Sequence, residues 1–302
     1  MKSLLKSLYH HLPFKKQLFS VIRPLHLPEN IYRHLHFKGV INVKVDEHSS
    51  FKTMHYGYQV ENEIFWSGLT GNWEKESLKM WITLCRHSKC ILDIGANTGI
   101  YSLIAKSINS NNTIVAIEPV TRVFKKLQHN MALNNYNVLC LDVAASDKDG
   151  EAIIYDTDDE HTYSVTVNED RSLPGVVTKP VTIKTARLDT LIEKHHIPKV
   201  DLMKIDVETH EPQVLEGYKK YLKEHQPTML IEILNDEVAQ HVENILNECT
   251  SGYIYFNIDE RGGIRKTEHL SRSDYFNFLI CKKPVADMLK LPMAYDEIEW
   301  LS

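Results

Sequence analysis

None of the five cysteines (Cys85, Cys90, Cys140, Cys249, Cys281) stands in a C-x-x-C pair, and their number is odd, so neither a disulfide framework nor a zinc knuckle is indicated. Such usage fits a reducing cytoplasm. No run approaches the ~18 apolar residues of a membrane span, and the amino terminus lacks the uninterrupted apolar core of a signal peptide. With 35 Lys and Arg against 40 Asp and Glu, the net charge of −5 offers no general attraction for nucleic acid. Two phosphate-binding loops are missing as well. No Gly-Lys-Ser/Thr follows the glycine turn at 95 to 99, and where a dinucleotide fingerprint needs its second and third glycines, this chain has Asn97 and Ile100. What remains is an ordinary globular composition, 43% hydrophobic and 25% charged over 302 residues, enough to bury a large core in one elaborated domain or two small ones.

The stretch from Cys90 to Tyr101 organises the rest. Ile91, Leu92 and Ile94 form a short apolar run, Gly95 and Gly99 follow, and Ile100, Leu103 and Ile104 then recur at helical spacing. The chain therefore passes from a buried strand through a tight turn into a helix. A ligand site is expected at the carboxyl end of such a strand. The pattern Asp93-x-Gly95-x-Asn97-x-Gly99 carries no phosphate-specific feature, which suits a phosphate-free, zwitterionic nucleoside such as S-adenosylmethionine. Asp93 would fix the loop or the ligand's ammonium group. Glu118 ends the next apolar run 19 residues after Gly99, near the spacing of about 20 at which an acid meets ribose hydroxyls.

Residues 1 to 40 differ from the remainder. Seven Lys/Arg face the single acid Glu29, leaving 28 basic and 39 acidic residues elsewhere. Leucines and aromatics interleave with these charges, and Pro13 and Pro24 punctuate two short helices. An amphipathic arm packed on the body is the plainer expectation; residues 1–24 as a peripheral contact with anionic lipid at the inner membrane surface is the sharper one. From Phe37 to Phe65 short antiparallel strands are expected, then a helix over 74 to 86 with Leu78, Trp81, Ile82 and Cys85 on its apolar face. Repeated βα units follow, with strands at 113–118, 138–144, 201–206 and 228–233 and helices at 121–134, 188–194, 212–223 and 237–249. Residues 151 to 187 interrupt them with two strand-like runs around a polar segment. Such an insertion beside the cofactor edge can vary substrate choice, and His161, Tyr163 and Ser164 are its acceptor-contact candidates. Strand 253–258, the turn Gly262-Gly263 and a terminal strand at 276–281 complete the pattern.

Three motifs in this order, Asp-Ile-Gly-Ala-Asn-Thr-Gly-Ile-Tyr-Ser at 93–102, Ile-Glu-Pro at 117–119 and Lys-Ile-Asp-Val-Glu-x-His-Glu at 204–211, resemble the FkbM-type S-adenosylmethionine-dependent methyltransferases. The resemblance covers roughly residues 60 to 283. It implies an α/β, Rossmann-like class I methyltransferase fold with a seven-stranded, mostly parallel sheet, preceded here by a helical arm and small β element. The corresponding division is 1–65, 66–283 and a tail 284–302. It also implies S-adenosyl-L-methionine as cofactor and places an acid such as Glu74 close to it. Asp142, near a carboxyl strand end, occupies a position where such folds present an acid to adenine.

The implied reaction is O-methylation of a hydroxyl on a small molecule or glycan, with Asp206, Glu208 and His210 facing the transferred methyl. His210 serves as general base and Asp206 orients it or the acceptor. Glu232 closes another strand end beside this cluster. These carboxylates could instead hold a divalent cation, a reading less favoured than base catalysis. A cofactor-binding scaffold without catalysis is the alternative function, and a nicotinamide dehydrogenase is disfavoured by Asn97 and Ile100. One departure from the family pattern is Thr209, where glycine is usual between Glu208 and His210. If that position needs a positive φ, threonine there is strained.

Overall fold

A computed structural model describes residues 13–157, 178–295 and 297–298. The chain begins with helix α1 (Lys15–Ile22), a 3-10 turn (Arg23–Leu25) and the single-turn α2 (Glu29–Tyr32). Pro24 removes a backbone donor just where α1 gives way to the tighter turn. The alternation after Phe37 becomes the antiparallel hairpin β1 (Gly39–Lys44) and β2 (Ser50–His55), with Gly39 opposite His55. Strand structure does not continue to Phe65 as expected: Gln59–Ser67 is helix α3. There Val60 and Ile64 stand one turn apart, a helical spacing rather than a strand's, and the Gly68 N–H closes the last turn on Ile64. Helix α4 (Lys75–His87) buries Leu78, Trp81, Ile82 and Cys85, the face anticipated for it. Its amino end is capped from far away, since Glu260 accepts from the Glu76 N–H (2.5 Å) and the Ser77 N–H (3.3 Å).

The central units are β3 (Cys90–Ile94), α5 (Ile100–Ile108), β4 (Thr113–Ile117), α6 (Thr121–Leu133) and β5 (Leu139–Leu141). Strand β6 (Ala144–Ala145) then leaves the main sheet and joins the ribbon of β7 (Gly150–Thr157) and β8 (Thr178–Ala186) in a second, three-stranded sheet. Helix α7 (Leu188–His195), β9 (Leu202–Ile205), α8 (Glu211–Glu216), α9 (Lys219–His225), β10 (Thr228–Glu232) and α10 (Asp236–Cys249) continue the alternation. The single helix expected over 212–223 is two, parted at Gly217, which passes against the Ser146 carbonyl too closely for any side chain. Last come β11 (Tyr253–Asp259), β12 (Gly263–Thr267), β13 (Asn277–Lys282) and α11 (Lys283–Met288). Beyond α11, Leu289 and Leu291 are buried against the body.

Across the main sheet the order is β12-β11-β13-β10-β9-β3-β4-β5. Seven of these strands are those anticipated; the eighth, β12, is the return of the hairpin begun at Gly262-Gly263. The expected terminal pair also gains a neighbour, because β13 inserts between β10 and β11, antiparallel to both. Composition explains the choice: Phe278, Leu279, Ile280 and Cys281 suit a strand buried on both faces, whereas Arg265, Lys266 and Thr267 suit an edge.

Alternation along β3 and β4 divides two cores. Ile91, Ile114 and Ala116 face one side with Trp81, Leu103 and Leu127; Leu92, Ile94, Val115 and Ile117 face the other with Leu188, Val214 and Val242. Phe19, Tyr32, Phe37 and Trp66 belong to the first of these cores, with the Phe19 and Trp66 rings 5.6 Å apart. Burial of Phe19 contributes roughly 1.5–3 kcal/mol toward holding α1 on the body.

Candidate active site

The carboxyl ends of β3, β4, β9 and β10 open into one cavity of about 250 Å³. Its floor is the turn after β3. Gly95 has φ +77°, and a Cβ there would fall 1.8 Å from the carbonyl oxygen of Asp206, so glycine lets the β3 and β9 turns touch. The Gly95 and Ala96 N–H groups donate to the Ile117 carbonyl at 3.0 and 2.9 Å. Asn97, at φ +49°, donates its backbone N–H to Glu118 Oε2 (3.0 Å), and the Val120 N–H donates to Glu118 Oε1 (2.9 Å). Gly99 opens α5 in a left-handed conformation.

These contacts fix Glu118 at the cavity wall, where burial pushes its carboxyl up to about 7 against two stabilising backbone donors. Asp93 is buried at the end of β3 and accepts from Ser102 Oγ (2.6 Å); burial raises it to about 6. Across the cavity, Glu74 stands at the N-cap position of α4 and accepts from the Tyr101 hydroxyl. Burial raises this acid too. Glu61, on α3, lines the same cavity with its Oε2 unpaired; burial lifts it to about 7.

Lys204 was quoted in a motif but not singled out as a site residue. Its side chain is 2% exposed, lies 3.0 Å from Asp206 Oδ2 and sits 5.1 Å from the centre of the Tyr101 ring. Burial opposes its charge, yet Asp206, Glu74 and Glu232 outweigh burial and raise its pKa. The signal was available, since a lysine inside the apolar run Leu202–Ile205 must be buried with carboxylate company. Glu232, at the end of β10, is pushed up to about 9 by burial and then by Asp206.

Asp206, Glu208 and His210 all reach the cavity. The partner expected for His210 differs, however. Its Nε2 lies 3.0 Å from Ser146 Oγ, at the start of the second sheet, while Asp206 pairs with Lys204. Burial lowers His210, so its ring is neutral at pH 7. The loop between them adopts two consecutive left-handed residues, Glu208 (φ +53°) and Thr209 (φ +77°). The conditional strain at Thr209 is therefore real in this loop, and a β-branched residue there costs on the order of 1–3 kcal/mol. Thr209→Gly is expected to raise stability by about 1 kcal/mol net of the added chain entropy, read as a higher denaturant midpoint at unchanged slope.

Asp142 is exposed, accepts from Thr121 Oγ1 (3.3 Å) and does not line the cavity. His161, Tyr163 and Ser164 lie outside the described residues. Among the described residues, no three His, Cys, Asp or Glu side chains form a group able to hold a metal ion, and no helix is long and apolar enough to cross a membrane.

Residues 93–255 match the family described as the methyltransferase FkbM domain. Over 150 residues, 50% of the chain, identity is 25% to the hexuronic acid methyltransferase AglP of Haloferax volcanii, covering 58% of that protein. Over 143 residues, 42% of the chain, identity is 27% to Methyltransferase 1 of Beauveria bassiana, covering 57% of it. The chain thus spans less than two thirds of the length of these curated relatives. Among solved structures, a methyltransferase FkbM from Methylobacillus flagellatus aligns over 70% of this chain and 47% of its own at 15% identity and TM-score 0.41. An O-methyltransferase from Bacillus cereus in complex with SAH aligns over 68% and 79% at 13% identity and TM-score 0.39.

Proposed function

Starting from the FkbM methyltransferase family, to which this chain belongs, we propose that the protein transfers the methyl group of S-adenosylmethionine to a hydroxyl of a small molecule or glycan. The observation that carries this reading is the single cavity joining the Gly95–Gly99 turn and Glu118 to Asp206, Glu208 and His210. The donor set fits the cofactor. Asp93, Glu118, Glu61 and Glu74 crowd carboxyls around the cavity, an environment suited to a ligand bearing sulfonium and ammonium charges, and the unpaired Glu61 Oε2 needs a donor. When bound, the cofactor supplies an electrophilic methyl on sulfur.

The chain's own residues then hold the acceptor hydroxyl in line and take its proton. His210 is the proposed base, neutral and held through Nε2 by Ser146. Glu232 and Lys204-paired Asp206 are the proposed hydrogen-bonding walls for the acceptor. In this reading, 66–283 is the catalytic unit, 1–65 adds Glu61 to the cavity wall, 284–302 is accessory, and His161, Tyr163 and Ser164 contact the acceptor. A hexuronic acid methyltransferase among the relatives supports a sugar acceptor. The five unpaired cysteines support a reducing, cytoplasmic setting.

Transfer of an isotopic methyl from labelled cofactor into fractionated cell extract tests the proposal. Cofactor binding with no labelled product from any fraction would leave the scaffold reading instead. Binding itself has a pH signature. Because Asp93 and Glu118 are raised to about 6 and about 7, they ionise fully only above neutrality, and affinity for the cationic cofactor is expected to rise between pH 6 and 8 in calorimetry. The ligand-free fold should lose stability as pH rises from about 4, where the unfolded carboxyls begin to release protons, through about 7, where the buried ones follow. At 100 times its dissociation constant the cofactor should stabilise the fold by about 2.7 kcal/mol, and NAD should not.

A further inference from the structure

Helix α1 has two apolar faces, and only one is used. Phe19 is buried and Ile22 half-buried against the body, beside Phe37 and Trp66. Away from that contact Leu18 is 44% and Val21 76% exposed on the helix itself, flanked by Phe14 at its N-cap (74%) and Leu25 in the following 3-10 turn (70%). Leu18 and Val21, three residues apart, share one helical face. Four large exposed side chains form a patch that a free surface does not need. They contribute nothing to the first core, which Phe19 already anchors.

Charge selects the occupant. Arg33 and Lys38 are exposed in the same amino-terminal segment, Lys16 is exposed with its stem near Gly39, Arg23 lies half-buried over the Phe65 ring, and Glu29 is the sole acid in the first 40 residues. A second copy of the chain would bring the same cations face to face across a two-fold contact. An anionic interface offers both an apolar layer for Phe14, Leu18, Val21 and Leu25 and negative headgroups for the cations. We propose that the outer stripe of α1 is a peripheral membrane-docking surface that seats this protein on anionic lipid. The stripe lies on an element separate from the cavity, so docking does not depend on the methyl-transfer reading.

The test is flotation of the full chain with vesicles of phosphatidylcholine alone or with 30% phosphatidylglycerol. The expected result is co-flotation with the anionic vesicles, little with the neutral ones, and release at about 0.5 M salt, where charges are screened within a few ångströms. The double substitution Val21→Asp, Leu25→Asp should cut the bound fraction at least tenfold while melting temperature stays unchanged, because both side chains are exposed. Failure of the wild type to float, or flotation unaltered by the double substitution, overturns the proposal. A dimer in gel filtration that the double substitution dissolves, without flotation, would overturn it in favour of a second copy of the chain.

Discussion

Methyl transfer by His210→Ala should fall by about 10²- to 10⁴-fold while cofactor affinity stays within a few-fold of the parent value. The expectation rests on position and protonation together. His210 reaches the cavity beside Asp206 and Glu208, its Nε2 is held by Ser146, and burial lowers its pKa from the ordinary imidazole range. A loss expressed in kcat with calorimetric cofactor binding intact identifies an interaction made in the transition state. At saturating cofactor, where Asp93 and Glu118 no longer limit binding, the acidic limb of the parent's kcat profile should disappear in the variant, a change that mere loosening of α8 would not cause. Near-normal turnover would remove His210 from the mechanism. Activity abolished by chelator and restored by magnesium would transfer the role to a cation held by the neighbouring carboxylates.

Gly95→Ala should be the most disruptive single methyl in the cavity. The new Cβ meets the Asp206 carbonyl at 1.8 Å, a backbone atom that cannot swing aside, and the position sits at φ +77°. Overpacking of about 1–3 kcal/mol adds to the strain of a left-handed alanine, so a loss of about 3 kcal/mol or more is expected in urea unfolding. Since the β3 and β9 turns must part to accept the methyl, cofactor affinity should fall along with stability. Unchanged melting and binding would mean that the two turns do not touch in solution.

Much of this architecture was legible in the chain because its strands are buried on both faces and its glycines stand where turns must be. Ile91 to Ile94 and Thr113 to Ile117 read as parallel strands; Asp93, Gly95, Asn97 and Glu118 line one cavity, while Gly99 opens α5 behind it. What could not be read was set by distant neighbours. Helix α3 holds Glu61 at the cavity, but nothing local marks an acid in an amphipathic segment as buried. Ser146 meets His210 only because β6 leaves the main sheet two residues after Asp142, and the same departure leaves Asp142 outside the cavity. Likewise β13 takes the interior place beside β10 through competition among three late strands, a choice decided by their relative burial. Thr209 shows the reverse case: a local irregularity, visible in one residue, that the loop geometry bears out in its positive φ.

The cap on α4 has a bearing on how the protein is made. Glu76 and the Glu260 carboxylate that receives its N–H are 184 residues apart, an interval of on the order of 10–40 s at ribosomal speed. Throughout it the nascent chain carries the amino end of α4, with Glu74 at its tip, uncapped. Strand β3 likewise waits for β9 with one edge open, the kind of edge that invites pairing with another chain. The α4 cap is therefore completed only after the β11–β12 hairpin has emerged, later than every residue that lines the cavity.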